Sequence, residues 1–119
     1  MNKIPHSSKE SEALLRSLLQ EETNVTLRPM FGNLSAFVSG NMFAGVYGDD
    51  LFVRLSEEDA ADLLKNEGAS TFEPMKGRQM KEYVVLPKPW RAQPAKVKPW
   101  MARSLKWSSA LPSKKPKKR

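Results

Sequence analysis

Apolar residues change their spacing several times along this chain, and each change marks an element. Leu14, Leu15, Leu18 and Leu19 recur at helical spacing behind the capping-box pattern Ser7-Ser8-Lys9-Glu10, which predicts an amphipathic helix over residues 8–22. From Leu34 the pattern turns to short apolar runs broken by Gly, Asn and Asp. Leu34-Ser35-Ala36-Phe37-Val38, Met42-Phe43-Ala44-Gly45-Val46-Tyr47 and Leu51-Phe52-Val53-Arg54-Leu55 are separated by Ser39-Gly40-Asn41 and Gly48-Asp49-Asp50. Tight turns of this composition join antiparallel strands, so the three runs predict a meander. Val25-Thr26-Leu27-Arg28 has the composition of one further short strand ahead of the Pro29-Met30-Phe31-Gly32 turn.

Ser56 then stands where a helix cap belongs, with Asp59 three residues on, Ala60, Leu63 and Leu64 on one face, and Gly68 as the stop. Thr71-Phe72-Glu73-Pro74-Met75 and Lys81-Glu82-Tyr83-Val84-Val85-Leu86, joined across Lys76-Gly77-Arg78, predict a second hairpin that Pro87-Lys88-Pro89 ends. A last helix is expected to start between Pro94 and Pro99, with both prolines in or before its first turn. The order helix, three strands, helix, two strands, helix predicts an α+β fold of two layers. An antiparallel sheet of about five strands carries the helices on one face.

At 119 residues there is room for a single core. The expected organisation is a flexible N-terminus over residues 1–7, an α+β domain over 8–108 and a disordered basic tail over 109–119. The absence of cysteine excludes disulfides, thiolate metal sites and a cysteine nucleophile. Met1 to Ser8 has no apolar stretch like that of a signal peptide, and no apolar run approaches the ~20 residues a membrane helix needs. A cytoplasmic protein without a membrane span is therefore expected.

Arg28-Pro29-Met30-Phe31-Gly32, the hairpin running into Gly40-Asn41-Met42-Phe43-Ala44, the strand Asp50-Leu51-Phe52-Val53-Arg54-Leu55, Phe72 and the Trp-bearing last helix together resemble the TfoX N-terminal domain family. The resemblance spans residues 10–107. It implies a two-layer fold similar to that of secretion chaperones, and a link to bacterial regulators of competence genes. Those longer regulators carry a second domain, where this chain is expected to have only its Lys-rich tail. The resemblance brings no catalytic residues with it.

The chemistry of the residues likewise predicts no enzyme. The single histidine, His6, lies in the N-terminal segment, where no scaffold preorganises a general base or a multi-histidine metal site. The carboxylates at Asp49-Asp50 and Glu57-Glu58-Asp59…Asp62 are accounted for as turn residues and as a helix's first turn, where negative charge meets the positive end of the dipole. Gly45 and Gly48 match no phosphate-binding loop, since neither precedes a Lys-Ser/Thr helix start. No cofactor, metal or catalytic residue is expected. Met30, Phe31 and Gly32 read as a structural turn, the two side chains plugging the core and Gly32 in a conformation closed to other residues.

Charge supplies the remaining signal. Residues 1–82 carry 9 basic and 13 acidic side chains, whereas residues 83–119 carry 11 basic and none acidic. All three tryptophans fall in the basic part. At about 100° per residue, Trp107, Trp100, Ser104, Val97, Met101 and Leu105 fill one arc of about 160° on the last helix, with Lys96 and Arg103 beside its tryptophan edge. Either this arc is only the sheet-packing face, or Trp100 and Trp107 offer stacking platforms beside cations that contact phosphates, a surface that Trp90 and Arg91 extend. The tail adds Lys114, Lys115, Lys117, Lys118 and Arg119, a charge of +5 suited to salt-dependent, sequence-independent contact with DNA or RNA.

Two function classes follow. One is a nucleic-acid-associated regulatory accessory protein using its basic C-terminal region. The other is a protein-interaction module, dimeric and chaperone-like, that binds through a sheet edge or helix face.

Overall fold

The computed structural model describes residues 7–30, 32–75 and 78–112. Its elements are α1 (Lys9–Leu19), β1 (Val25–Met30), β2 (Asn33–Val38), β3 (Asn41–Tyr47), β4 (Asp50–Arg54), α2 (Glu57–Leu64), β5 (Ser70–Met75), β6 (Arg78–Val85), a 3₁₀ turn (Lys88–Ala92) and α3 (Pro94–Ser109). The strands form one antiparallel sheet in the order β1-β2-β3-β4-β6-β5. This is the expected α+β arrangement, with six strands rather than about five. The addition is β1, which runs on through Pro29 and Met30. A proline is tolerated there because β1 is an edge strand, and an edge can spare one N–H donor.

Local chemistry sets the boundaries. Ser39 and Gly40 both take positive φ, 52° and 81°, as a two-residue hairpin between β2 and β3 requires. Ser56 caps α2, its hydroxyl accepting from the Asp59 N–H at 3.2 Å. The cap of α1 falls on Ser8, whose hydroxyl accepts from the Ser11 N–H, rather than on Ser7 as the Ser7…Glu10 spacing predicts. Ser7 is engaged elsewhere: its N–H donates to the Gly32 carbonyl, and its hydroxyl donates to the Glu12 carboxylate and accepts from the Leu34 N–H.

Both prolines of the last helix were expected in or before its first turn. Pro94 opens α3, but Pro99 lies in its second turn. The lost hydrogen bond would have used the carbonyl of Ala95, and both residues are exposed, so water can serve that carbonyl instead.

One face of the sheet packs under the helices. Leu34, Ala36 and Val38 of β2, Val46 of β3, Leu51 and Val53 of β4 and Val84 of β6 join Leu15 and Leu19 of α1, Ala60 and Leu63 of α2, and Val97 and Met101 of α3 in one buried cluster. Alternation sends Phe52 to the opposite face, where it forms a second cluster with Phe72 and Tyr83, all from strands. Phe52 and Phe72 stack at 4.3 Å, and Tyr47 meets Phe72 edge-on at 5.3 Å. Arg28 covers the ring of Phe37 at 4.3 Å; Arg54, paired with Glu82 at 2.6 Å, lies 5.6 Å from the ring centre of Tyr83.

A bulge in β3 links the two faces. Ala36 pairs with Ala44 but Phe37 pairs with Met42, which leaves Phe43 as the extra residue. Its carbonyl accepts from the buried Ser104 hydroxyl of α3 at 2.6 Å, while the Met42 carbonyl accepts from the Tyr83 hydroxyl at 3.0 Å on the other face.

Two measurements check this packing. A Cβ on Gly45 would stand 2.7 Å from Phe52 Cζ and 3.2 Å from the Leu34 carbonyl oxygen, and Phe52 is wedged against Phe72. Gly45→Ala is therefore expected to destabilise by about 1–3 kcal/mol in urea denaturation. Tyr83→Phe removes the hydrogen bond to the Met42 carbonyl and is expected to cost about 1 kcal/mol near neutral pH. Burial also pushes the Tyr83 phenol above its ordinary range, although Arg54 pulls it back. A raised folded-state value means stability that is complete below the unfolded value, about 10, and is lost as the pH rises beyond it. Denaturation of wild type and Tyr83→Phe on either side of that pH should show the gap between them narrowing on the alkaline side.

Candidate nucleic-acid interface

The Ser104–Phe43 hydrogen bond fixes the rotation of α3. Val97, Met101, Ser104 and Ser108 are buried along one stripe. Steps of four, three and four residues then place Lys96, Trp100, Arg103 and Trp107 together on one flank of the helix. The ring of Trp100 is half-buried at its edge, packed against the core, and the Arg103 guanidinium sits 4.6 Å from its centre. Arg103 Nη1 also lies 3.7 Å from Asp59 Oδ1, in the first turn of α2. Trp90, in the 3₁₀ turn, has Lys96 Nζ 5.9 Å from its ring centre.

The structure thus gathers Trp90, Lys96, Trp100 and Arg103 into two cation–aromatic pairs. Trp107 continues the row, half-buried, with its indole N–H turned inward where no acceptor meets it among the described residues. Arg91 is drawn away from this row. It donates to the Asp49 carbonyl at 2.7 Å and to the Lys88 carbonyl at 3.3 Å, while Lys88 pairs with Asp50 at 2.8 Å, so this basic segment is tied to the β3–β4 turn. Lys98 and Lys106, also on α3, have no ion pair among the described residues.

Lys114, Lys115, Lys117, Lys118, Arg119 and Phe31 lie outside the described residues. The carbonyl of Pro112, where the described chain ends, accepts from Asn41 Nδ2 at 3.0 Å. In the Met30-Phe31-Gly32 turn, Gly32 takes φ 83°, as its structural reading requires. Met30, however, does not plug the core. It ends an edge strand and is 39 % exposed, because the strand continues two residues beyond Arg28 and keeps Met30 on the open edge of the sheet.

Sequence reasoning missed the part played by Asp59. It reads as a helix-dipole residue, and nothing in local spacing announces a partner 44 positions away. A groove of about 280 Å³ between α1 and α3 was equally hidden; Leu18, Leu19, Met101 and Leu105 line it together with the polar Ser17 and Gln20 and the charged Glu21, Glu22 and Lys98. Among the described residues no group of three or more His, Cys, Asp or Glu side chains is placed to hold a metal ion, and no helix is long and apolar enough to cross a membrane.

Comparison with known protein families matches residues 17–108 to the TfoX N-terminal domain, from the last turn of α1 through nearly all of α3. No curated protein and no solved structure matches the chain. The matched stretch holds the whole sheet, α2 and the tryptophan-bearing flank of α3, and this chain belongs to the TfoX N-terminal domain family.

Proposed function

We propose that this TfoX N-terminal domain is a non-enzymatic, nucleic-acid-associated accessory protein of the cytoplasm, with a regulatory role in keeping with the family's link to competence. The observation that carries this reading is the row Lys96, Trp100, Arg103 and Trp107 on one flank of a helix that bears no acidic residue. Cations that reach phosphates and rings that accept bases are the two ingredients of sequence-tolerant binding. The basic residues beyond Pro112 add charge to the same end of the chain as α3. Affinity would be general and salt-dependent, because α3 presents no Asn or Gln to read base edges and its one Arg, Arg103, lies against Trp100 and Asp59.

A protein-interaction module is the second reading, and the α1–α3 groove favours it. Its mixed lining of leucines, Met101 and charged side chains suits an amphipathic partner segment, or a second copy of the chain, and it makes no use of the tail.

The experiment compares the full chain with one ending at Pro112, which keeps the Asn41 hydrogen bond, as duplex and single-stranded DNA are titrated in at low and physiological salt. Heteronuclear NMR shifts are expected at Lys96, Trp100, Arg103 and Trp107 in both forms. The shortened chain should bind more weakly, with a dependence of log K on log salt shallower by up to about 4. Shifts confined to residues after Pro112, or none, would move the search to protein partners; in that case the shortened chain should retain its oligomeric state and partner binding.

A further inference from the structure

Arg103 is engaged on both sides. One side of its guanidinium lies against the ring of Trp100 and the other reaches the carboxylate of Asp59. The Arg103 side chain is half exposed and that of Asp59 one-third exposed, so water competes for this pair and a better anion can displace it. A phosphate offers guanidinium a bidentate partner of higher charge density than a single long contact to a carboxylate.

The position of the row limits what can bring that phosphate. The outward face of α3 holds Ala95, Pro99, Ala102 and Lys106, all exposed: one flexible ammonium and no Arg, Asn or Gln to read a series of base edges. The aromatic residues instead lie on the flank that looks towards α2, as the Arg103–Asp59 contact shows. Indole rings gain from bases only when the flat faces of the bases are open. A duplex hides those faces in its own stack, whereas a single strand can present them one at a time.

Resting on the nucleic-acid reading above, we infer that this flank takes single-stranded nucleic acid and that Asp59 restrains it, holding Arg103 until a backbone phosphate replaces the carboxylate while a base lies against the neighbouring indole. Asp59 is then a negative element built into the interface, a positioning residue that weakens binding and flattens its salt dependence by competing for one cation.

The test uses the full chain and two probes of equal length, a fluorescently labelled thymidine homopolymer and a mixed-sequence duplex, followed by anisotropy. Asp59→Asn removes the competing charge and leaves the Ser56 cap intact, since that cap is made to the backbone N–H of residue 59. Asp62→Asn is the control: it removes the same charge from the same helix, but Asp62 faces Lys65 at 3.7 Å and not Arg103.

The homopolymer is expected to bind roughly tenfold tighter than the duplex. Asp59→Asn should tighten homopolymer binding by roughly three- to tenfold and steepen its salt dependence by about 0.7, one phosphate contact. Asp62→Asn should change affinity less than twofold, and Asp59→Asn should lose its effect in an Arg103→Gln background. Equal tightening by the two Asp variants, or a preference for duplex, with shifts at Lys96, Trp100, Arg103 and Trp107 still present in the NMR titration, would overturn this inference alone. Binding of neither probe by the wild type would overturn it together with the nucleic-acid reading.

Discussion

The extra residue at Phe43 is the constraint on which the arrangement turns. A bulge leaves its extra residue out of the ladder, and inside a protein an unpaired carbonyl is costly. Two hydroxyls answer from opposite faces of the sheet: Ser104 from α3 to Phe43, and Tyr83 from β6 to Met42. The first bond sets which side of α3 lies on the sheet, and so which side carries Trp100, Arg103 and Trp107. The second draws β6 across β4 and closes the aromatic cluster on the far face. A single irregularity in one strand therefore orients the last helix and ties the aromatic cluster of the far face to β3.

That far side explains how a two-layer protein leaves one sheet face without helices. Phe52, Phe72 and Tyr83 are nearly buried by one another, and Arg28 and Arg54 lie over rings at its margin. Glycine at position 45 is what lets Phe52 lie flat on β3. The same device recurs at smaller scale on α3, where Arg103 and Lys96 cover Trp100 and Trp90. Across the molecule, aromatic surface is finished with cations, and the chemical difference between a capped ring and an available one lies in how firmly the cation is held.

Much of this could be read from residues alone, because most of the deciding forces are local. Gly40, Gly48 and the alternating apolar runs announce the meander; Ser56 announces α2; the period of Val97, Met101 and Ser104 announces the buried side of α3. The misreadings came where a distant partner outweighed a local preference. Ser8 caps α1 because Ser7 is drawn to Leu34 and Glu12. β1 passes through Pro29 because that strand is the sheet's edge, a fact that exists only once β2 is in place. Asp59 meets Arg103, and the bulge at Phe43 meets Ser104, across separations that no periodicity records. The tryptophan row was visible as an arc, but its division into covered rings and an inward-facing indole N–H needed the tertiary structure.

The strand order β4-β6-β5 also has a history in it. Among the strands, β5 has only β6 as a neighbour, so β5 can join the sheet only after β6, the later segment, exists to receive it. As the chain is made from its N-terminus, the meander β1 to β4 can assemble at once, while α2 and β5 must wait with the free side of β4 open. The local β5–β6 hairpin then closes that side in one step, since β6 brings both its own ladder to β4 and the strand already attached to it. Phe52 stays uncovered until the arrival of Phe72 and Tyr83, so the aromatic face closes with the hairpin, and the opposite face closes only when α3, made after it, brings Val97 and Met101.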